Sequence, residues 1–356
     1  MDFLVKRDDL HECRLDDAPR PAIEDGQALL EVSHFGLTSN NITYAMFGVA
    51  MNYWDFFPAP DGWGRVPTWG FATVTESRAE QLEPGVRVYG YLPPSSELVV
   101  QPARVNEHSF IDGSPHRAAL PAAYNSYRAT ATDPVYEAER EEQQMLLRPL
   151  FFTSYLLDDF LAEAELFGAD TAVISSASSK TSSALAHLLS RRGGTTVVGL
   201  TSERSADFVK GLGVYDHIVS YGDAGQLPAG RAVYVDMAGD AAVRQAVHEH
   251  YGDELTHSAV IGATHHDKLG GVPDELPGPR PTFFFAPDRV AKRIGDWGAQ
   301  GLEAKLAEAW HPYVAWTDGW LEVDRGEGGE ALESAYLALL DGRIDAARAD
   351  VLSLPR

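Results

Sequence analysis

Between residues 171 and 264 the chain repeats one rhythm, a short apolar run and then a helical one, and few architectures accept it. "TAVISSA" (171–177) reads as a strand and "SSALAHLLSRRGG" (182–194) as a helix closed by glycines. "TTVVGLTS" (195–202) is a second strand, with "ERSADFVKGLG" (203–213) as its helix. Further strands fall at 216–223, 231–239 and 257–264, with a helix at 240–252. Continuous apolar strands alternating with helices form a parallel sheet covered on both faces. This half of the chain is therefore expected to be a doubly wound α/β domain.

The first 115 residues carry a different pattern. "QALLEVSHFGL" (27–37), "VPTWGFATVTES" (66–77), "LEPGVRVYGYL" (82–92) and "SSELVVQPARV" (95–105) are short strands set off by Gly and Pro turns. That spacing predicts a small, mostly antiparallel barrel or sandwich. Residues 125–147 turn polar and charged and read as a surface excursion or linker helix. The tail, 328–354, reads as an amphipathic helix, a turn and a final strand.

Charge and cysteine content narrow the function. The formal net charge is −23, and the densest basic cluster is the pair Arg191 and Arg192. Nucleic acid and anionic lipid are poor partners for such a surface. No apolar run reaches the ~18 residues of a membrane span. Cys13 is the single cysteine, which excludes an intrachain disulfide and zinc sites built from several thiolates. His265 and His266 are adjacent, so their rings diverge, and neither has a partner at ligand spacing. The charged N-terminal stretch lacks the apolar core of a secretory signal, and a cytoplasmic location is expected.

The loop "AVISSASSKTSS" (172–183) stands where a dinucleotide-binding turn carries glycines. Ala177, Ser179 and Ser182 occupy those glycine positions. Small residues keep much of the clearance, and a helix start still offers N–H groups to an anion. Ser178 and Ser179 add hydroxyls and Lys180 a cation, with Thr181 next to them. A phosphate loop of the G-x-x-x-x-G-K-[ST] type is disfavoured, because residue 174 is an isoleucine within the strand. A strand-to-helix turn whose serines merely cap the helix stays open. After the second strand, Thr201 and Ser202 replace the usual acidic residue and Arg204 follows, a set that suits a 2′-phosphate; Glu203 could instead serve a ribose.

Taken in order, these segments resemble the medium-chain dehydrogenase/reductases, on their zinc-free quinone oxidoreductase and enoyl reductase side. "EDGQALLEVSHFGLTSNNITYAMFG", "VPTWGFATVTES" with "LEPGVRVYG", "RPLFFTSYLLDDF" with Thr153 and Ser154, and the serine loop through "GLGVYDHIVSY" follow that family's order, as do "YVDMAG" and "AVIGAT". The resemblance implies a GroES-like β-barrel domain (1–147, with an insertion at 125–147), a Rossmann domain (148–285) and a return segment (286–356) completing the first. Here "WGF" (69–71) replaces the Gly-His-Glu of zinc-dependent members, and the glycine motif is wholly replaced. The family also implies a possible homodimer.

An NADP(H)-dependent, zinc-independent oxidoreductase acting on an apolar or aromatic small molecule is the expected function. Without a metal, such an enzyme needs a proton source or hydrogen-bond donor at the substrate oxygen. Tyr44 is the candidate donor and Asn41 an orienting amide, although both equally suit a helix cap and a core. Tyr124 and Asn125 form a second polar-aromatic cluster, and Tyr221 is placed to flank an adenine. Aromatic residues in "NYWDFF" (52–57), Trp63, Trp69 and "FFF" (283–285) suit an apolar substrate or an ordinary core. Two other readings stand beside this one: lyase or hydrolase chemistry on a scaffold that lost its nucleotide, and a silent binder of NADPH or a small molecule.

Overall fold

In the N-terminal region, "ALLEVSHFGL" forms β3 (Ala28–Leu37), and its apolar residues change phase partway along. Ala28, Leu30 and Val32 enter the core, and then Phe35 and Leu37 do. An irregularity in pairing between Val32 and His34 makes the change, since one extra residue moves every later side chain to the other face. The computed structural model describes residues 1–17, 19–261 and 276–355.

The chain divides into two compact units, Met1–Leu146 with Leu321–Arg356, and Leu147–Trp320. The first holds β1 (Asp2–Lys6), β2 (Cys13–Asp16), β4 (Trp63–Gly64), β5 (Thr68–Ser77), β6 (Arg87–Leu92), β7 (Glu97–Val100), β8 (Pro102–Ala103), β9 (Ser109–Asp112) and β10 (Ser126–Ala129). Helix α1 (Ser39–Met46) follows β3, and α2 (Glu141–Glu163) begins in this unit and ends in the next. Strands β1, β2 and β4 form a small antiparallel sheet. The larger sheet runs β17-β18-β3-β5-β6-β10-β9-β8, where β17 is Glu322–Glu327 and β18 is Arg348–Ser353; β7 pairs with β3 as well. All its pairings are antiparallel except β17 with β18.

Two expectations are corrected here. Residues 126–129, expected in a surface excursion, are strand β10 inside the sheet, between β6 and β9. Tyr127 is fully buried there and stacks on Phe110 with ring centroids 5.0 Å apart. The segment after residue 286, expected to return to the first domain, remains in the second unit until Trp320. Arg289 and Arg293 explain this, because both donate to Asp159 of α2, at 2.6 and 2.7 Å.

The second unit contains β11 (Thr171–Ile174), α3 (Lys180–Arg192), β12 (Thr196–Thr201), α4 (Ala206–Gly211), β13 (His217–Ser220), β14 (Ala232–Asp236), α5 (Ala241–Tyr251), β15 (Leu255–Val260), β16 (Thr282–Phe283) and α6 (Ala286–Thr317). Its sheet is parallel throughout, in the order β13-β12-β11-β14-β15-β16. Alternate residues feed two cores. Ala172, Ile174, Val233 and Val235 pack with Leu157, Leu161, Leu185 and Leu189 of α2 and α3. Val173, Val198 and Tyr234 pack on the other face with Val243, Val247 and Tyr251 of α5. Helix α7 (Gly329–Leu340) belongs to the first unit, whose core it joins through Leu332 and Tyr336.

Candidate functional site

The order of the parallel sheet reverses at β11, with β12 on one side and β14 on the other, and ligands of open α/β sheets bind beside the strand ends at such a point. The serine loop leaves β11 there. Ser175 Oγ donates to Asp236 Oδ1 at 3.0 Å and accepts from the Met237 and Ala238 N–H groups at 2.9 and 3.0 Å. The other Asp236 oxygen takes the Nε–H of Arg244 at 2.8 Å, both side chains being buried. Ser176 has φ +52°, the left-handed backbone that glycine adopts without cost. Its N–H donates to Tyr221 Oη at 3.1 Å, and its carbonyl accepts from the Ser179 N–H at 2.8 Å.

Ser179 caps α3. Its Oγ accepts the Ser182 N–H at 3.1 Å and donates to Ser182 Oγ at 2.9 Å, while Ser182 Oγ donates to the Ser175 carbonyl at 2.9 Å. The hydroxyl expected to reach a phosphate from Ser179 is therefore held in the helix cap. Ser178 is half-buried and makes no side-chain hydrogen bond among the described residues. Lys180 and Thr181 open α3, at the positions where N–H groups lack an acceptor within the helix. Ser154 donates to the Thr181 carbonyl at 2.7 Å and so ties α2 to that first turn. On β12, Gly199 has to be glycine, because a Cβ there would lie 2.9 Å from both the Ala177 methyl and the Tyr215 ring. Tyr215 Oη donates to the Ala177 carbonyl at 2.9 Å. Ser202 Oγ donates to Ser205 Oγ at 3.2 Å, and Arg204 is exposed.

The other candidates lie in the first unit. Tyr44 is buried on α1, in a cluster with Tyr53, Phe56, Phe57 and Tyr91, against which Trp69 and Tyr124 pack. Two groups donate to Tyr44 Oη, Asn40 Nδ2 at 2.7 Å and Trp69 Nε1 at 3.3 Å. Burial pushes the Tyr44 phenol up to about 12, although the Trp69 and Asn40 donors pull the other way. Tyr124 lies edge-on to Tyr44, with ring centroids 6.2 Å apart, and burial raises its phenol well above the ordinary value.

The two amides have structural work. Asn41 accepts from the Thr38 N–H at 2.7 Å and donates to the Pro67 carbonyl at 2.7 Å, which closes a capping box on α1. Asn125 donates to the Arg117 carbonyl at 3.3 Å. Trp54, Phe56 and Phe57, read as possible substrate wall, are buried core, whereas Phe283 and Phe285 are exposed. The residues that sequence reasoning missed are Ser175, Asp236, Arg244 and Asn40, and Trp69 was read there as aromatic surface and not as a donor to Tyr44. Only the Asp-Met-Ala-Gly-Asp run (236–240), which starts on the last residue of β14, offered a local signal for any of them.

Among the described residues no three His, Cys, Asp or Glu side chains are grouped to hold a metal. His265 and His266 lie outside the described residues. No helix among the described residues is long and apolar enough to cross a membrane.

A family model described as "Protein of unknown function (DUF2855)" matches residues 35–345. The sequence matches no curated protein. Among solved structures, CurA from Vibrio vulnificus in complex with NADPH is similar at 16% identity and a TM-score of 0.59, covering 97% of this chain and 94% of that one. The CurK enoyl reductase matches at 15% identity and 0.58, covering 99% of both chains. The quinone oxidoreductase from Coxiella burnetii matches at 15% identity and 0.57, again covering 99% of both. These likenesses bear out the expected fold class, a GroES-like domain with a Rossmann domain inserted, as in the medium-chain dehydrogenase/reductases.

Proposed function

We propose that this chain, which belongs to the DUF2855 family, is a zinc-independent, NADP(H)-dependent oxidoreductase that transfers hydride to or from a carbonyl or activated carbon–carbon double bond of an apolar or aromatic small molecule. The observation that carries this reading is the turn of small residues at the reversal point of the parallel sheet, leading into the start of α3. The NADPH held by CurA and the activities in the names of CurK and the Coxiella protein support it by analogy of fold.

On the proposed reading a diphosphate lies at this loop in spite of its serines. Ser175, Ser179 and Ser182 turn their hydroxyls onto one another, onto Asp236 and onto the loop backbone. Ser176 takes up the left-handed turn that glycine would make. The groups proposed to meet an anion are the Ser178 hydroxyl and the Thr181 N–H and hydroxyl, with Lys180 beside them at the start of α3. Ser202 and Arg204, at the end of β12, are the proposed readers of a 2′-phosphate, and the Tyr221 ring the proposed neighbour of the adenine.

When bound, the nicotinamide supplies or accepts the hydride. The chain supplies the proton. With Asn40 and Trp69 both donating to its oxygen, Tyr44 keeps its own O–H proton for an acceptor. The same two donors stabilise the phenolate left behind. Tyr124 and its neighbouring rings supply apolar surface for the substrate.

Calorimetric titration with NADPH and NADH tests the reading. NADPH should bind, more tightly than NADH, and be consumed when a suitable quinone or enone is added. Failure of both nucleotides to bind would overturn it. Turnover without nucleotide would favour lyase or hydrolase chemistry, and binding without turnover a silent binder.

A further inference from the structure

A cavity of about 320 Å³ opens within the first unit, and charged side chains are among those that line it. Asp112 and Arg117 line it, 2% and 1% exposed, with Arg117 Nε 3.2 Å from Asp112 Oδ2. The other Asp112 oxygen already accepts the Gln101 and Ser114 N–H groups and the Ser114 hydroxyl, so this carboxylate is fully engaged. Arg117 is not. Nε also reaches the Phe56 carbonyl and Nη1 the Tyr127 hydroxyl, but Nη2 is buried without any partner. Arg65, on the same wall, donates to the Pro58 carbonyl and to Asp2, and its buried Nε likewise has no acceptor.

Buried guanidinium donors without acceptors cost stability unless something brings acceptors to them. The remaining acids do not: Asp2 is held by Arg65 and Glu97 by Arg20. Between the charges the walls are apolar, with Phe56, Phe57, Pro58 and Val99. The Arg117 guanidinium lies over the Phe57 ring, 4.7 Å from its centroid, which fixes the plane of its donors. A volume of this size suits a small ligand with one polar end.

We propose that this cavity binds a small aromatic or branched apolar carboxylic acid, its carboxylate drawn to the guanidinium of Arg65, the more exposed of the two arginines that line it, and its apolar body lying against Phe56, Phe57 and Val99. The site is independent of the nucleotide reading. It does share a wall with the tyrosine cluster, since Phe56 packs edge-on against Tyr91 and Tyr124, with centroids 5.2 and 5.4 Å away.

Benzoate serves as the probe and benzyl alcohol as its uncharged counterpart, titrated onto the full chain by calorimetry with ligand-observed NMR. Benzoate should bind saturably and at least about tenfold more tightly than benzyl alcohol, because the charge-assisted bonds are lost with the carboxylate. Val99→Trp, which fills the recess, should abolish benzoate binding. Arg65→Met, at a partly exposed position that keeps the Asp112–Arg117 floor, should weaken it about tenfold; circular dichroism and melting verify that both variants fold. Equal affinity for the two probes, or benzoate binding unchanged in folded Arg65→Met, overturns the proposal. If Val99→Trp fails to fold, the probe comparison and the Arg65 variant decide alone.

Discussion

The Ser175 hydroxyl donates a hydrogen bond to Asp236 Oδ1 at 3.0 Å, joining the end of β11 to the end of β14 where the sheet reverses its order. The same oxygen takes two backbone N–H groups, those of Met237 and Ala238, both buried. Ser175→Ala leaves those two donors without an acceptor, at about 1–3 kcal/mol each. The variant should unfold in urea with a stability lowered by roughly 3 kcal/mol. An unchanged midpoint would show that the second unit does not depend on this link.

Nucleotide selectivity should separate two cations. Lys180→Ala should weaken NADPH and NADH together, since both carry the diphosphate. Arg204→Ala should weaken NADPH alone, by about tenfold or ~1.4 kcal/mol, since only NADPH carries the 2′-phosphate. Equal losses for the two nucleotides in Arg204→Ala would remove that residue from the 2′-phosphate site. Fluorescence or calorimetric titration reads both.

Tyr44→Phe should lower kcat by about a hundredfold or more while KM changes little, because a general acid acts in the transition state. The donating form of a phenol is the neutral one, present below its pKa. With that pKa pushed up to about 12 by burial, the wild-type rate should show no loss of this acid up to about pH 11. A kcat of the variant equal to that of wild type, measured on the same substrate, would rule Tyr44 out.

Two groups contribute to the acid limb of stability, with opposite chemistry and the same sign. Burial opposes ionisation of Glu141, but hydrogen bonds from His34, Arg87 and Tyr136 outweigh it and hold the carboxyl down to about 2. Arg87 donates to both of its oxygens, at 2.7 and 2.6 Å. A carboxyl depressed in the folded state contributes stability above its unfolded value near 4.5, and loses it as pH falls towards 2. His187, buried against Tyr313 and Trp316, is lowered to about 4 by that burial. Below its ordinary value near 6.5 the unfolded chain takes up this proton first, so stability declines from there down to about 4. Glu141→Gln should flatten the lower window and His187→Phe the upper one, in denaturation midpoints recorded from pH 7 to 2.5. A pH profile that neither substitution alters would refute both assignments.

The parallel sheet was legible because its inner strands β11, β12 and β14 are buried on both faces, which leaves a continuous apolar run in the sequence. Strand β10 had no such run. Tyr127 alone among its four residues is buried, and the neighbouring serine, arginine and alanine are only half-covered, so the segment reads as loop. Asn41 shows a different limit. An amide three residues after a threonine serves a helix cap or a substrate with equal plausibility, and only the bonds to Thr38 and Pro67 decide. The Ser175–Asp236 link joins residues 61 apart, and the attachment of α6 to α2 joins Arg289 to a residue 130 away. Pairings of that kind follow from topology, which local pattern does not carry.

The first unit is written in two instalments. β3 pairs with β18 through Gly36 and Val351, so the Phe35–Leu37 stretch of one edge of β3, beyond the part that β7 covers, has no partner while the whole of Leu147–Trp320 is being made. On the ribosome, the intervening unit can finish folding before the outer one has its last strand. A stalled or prematurely terminated chain would therefore display a completed inner body beside an open β-edge, a natural substrate for chaperones and for edge-to-edge aggregation.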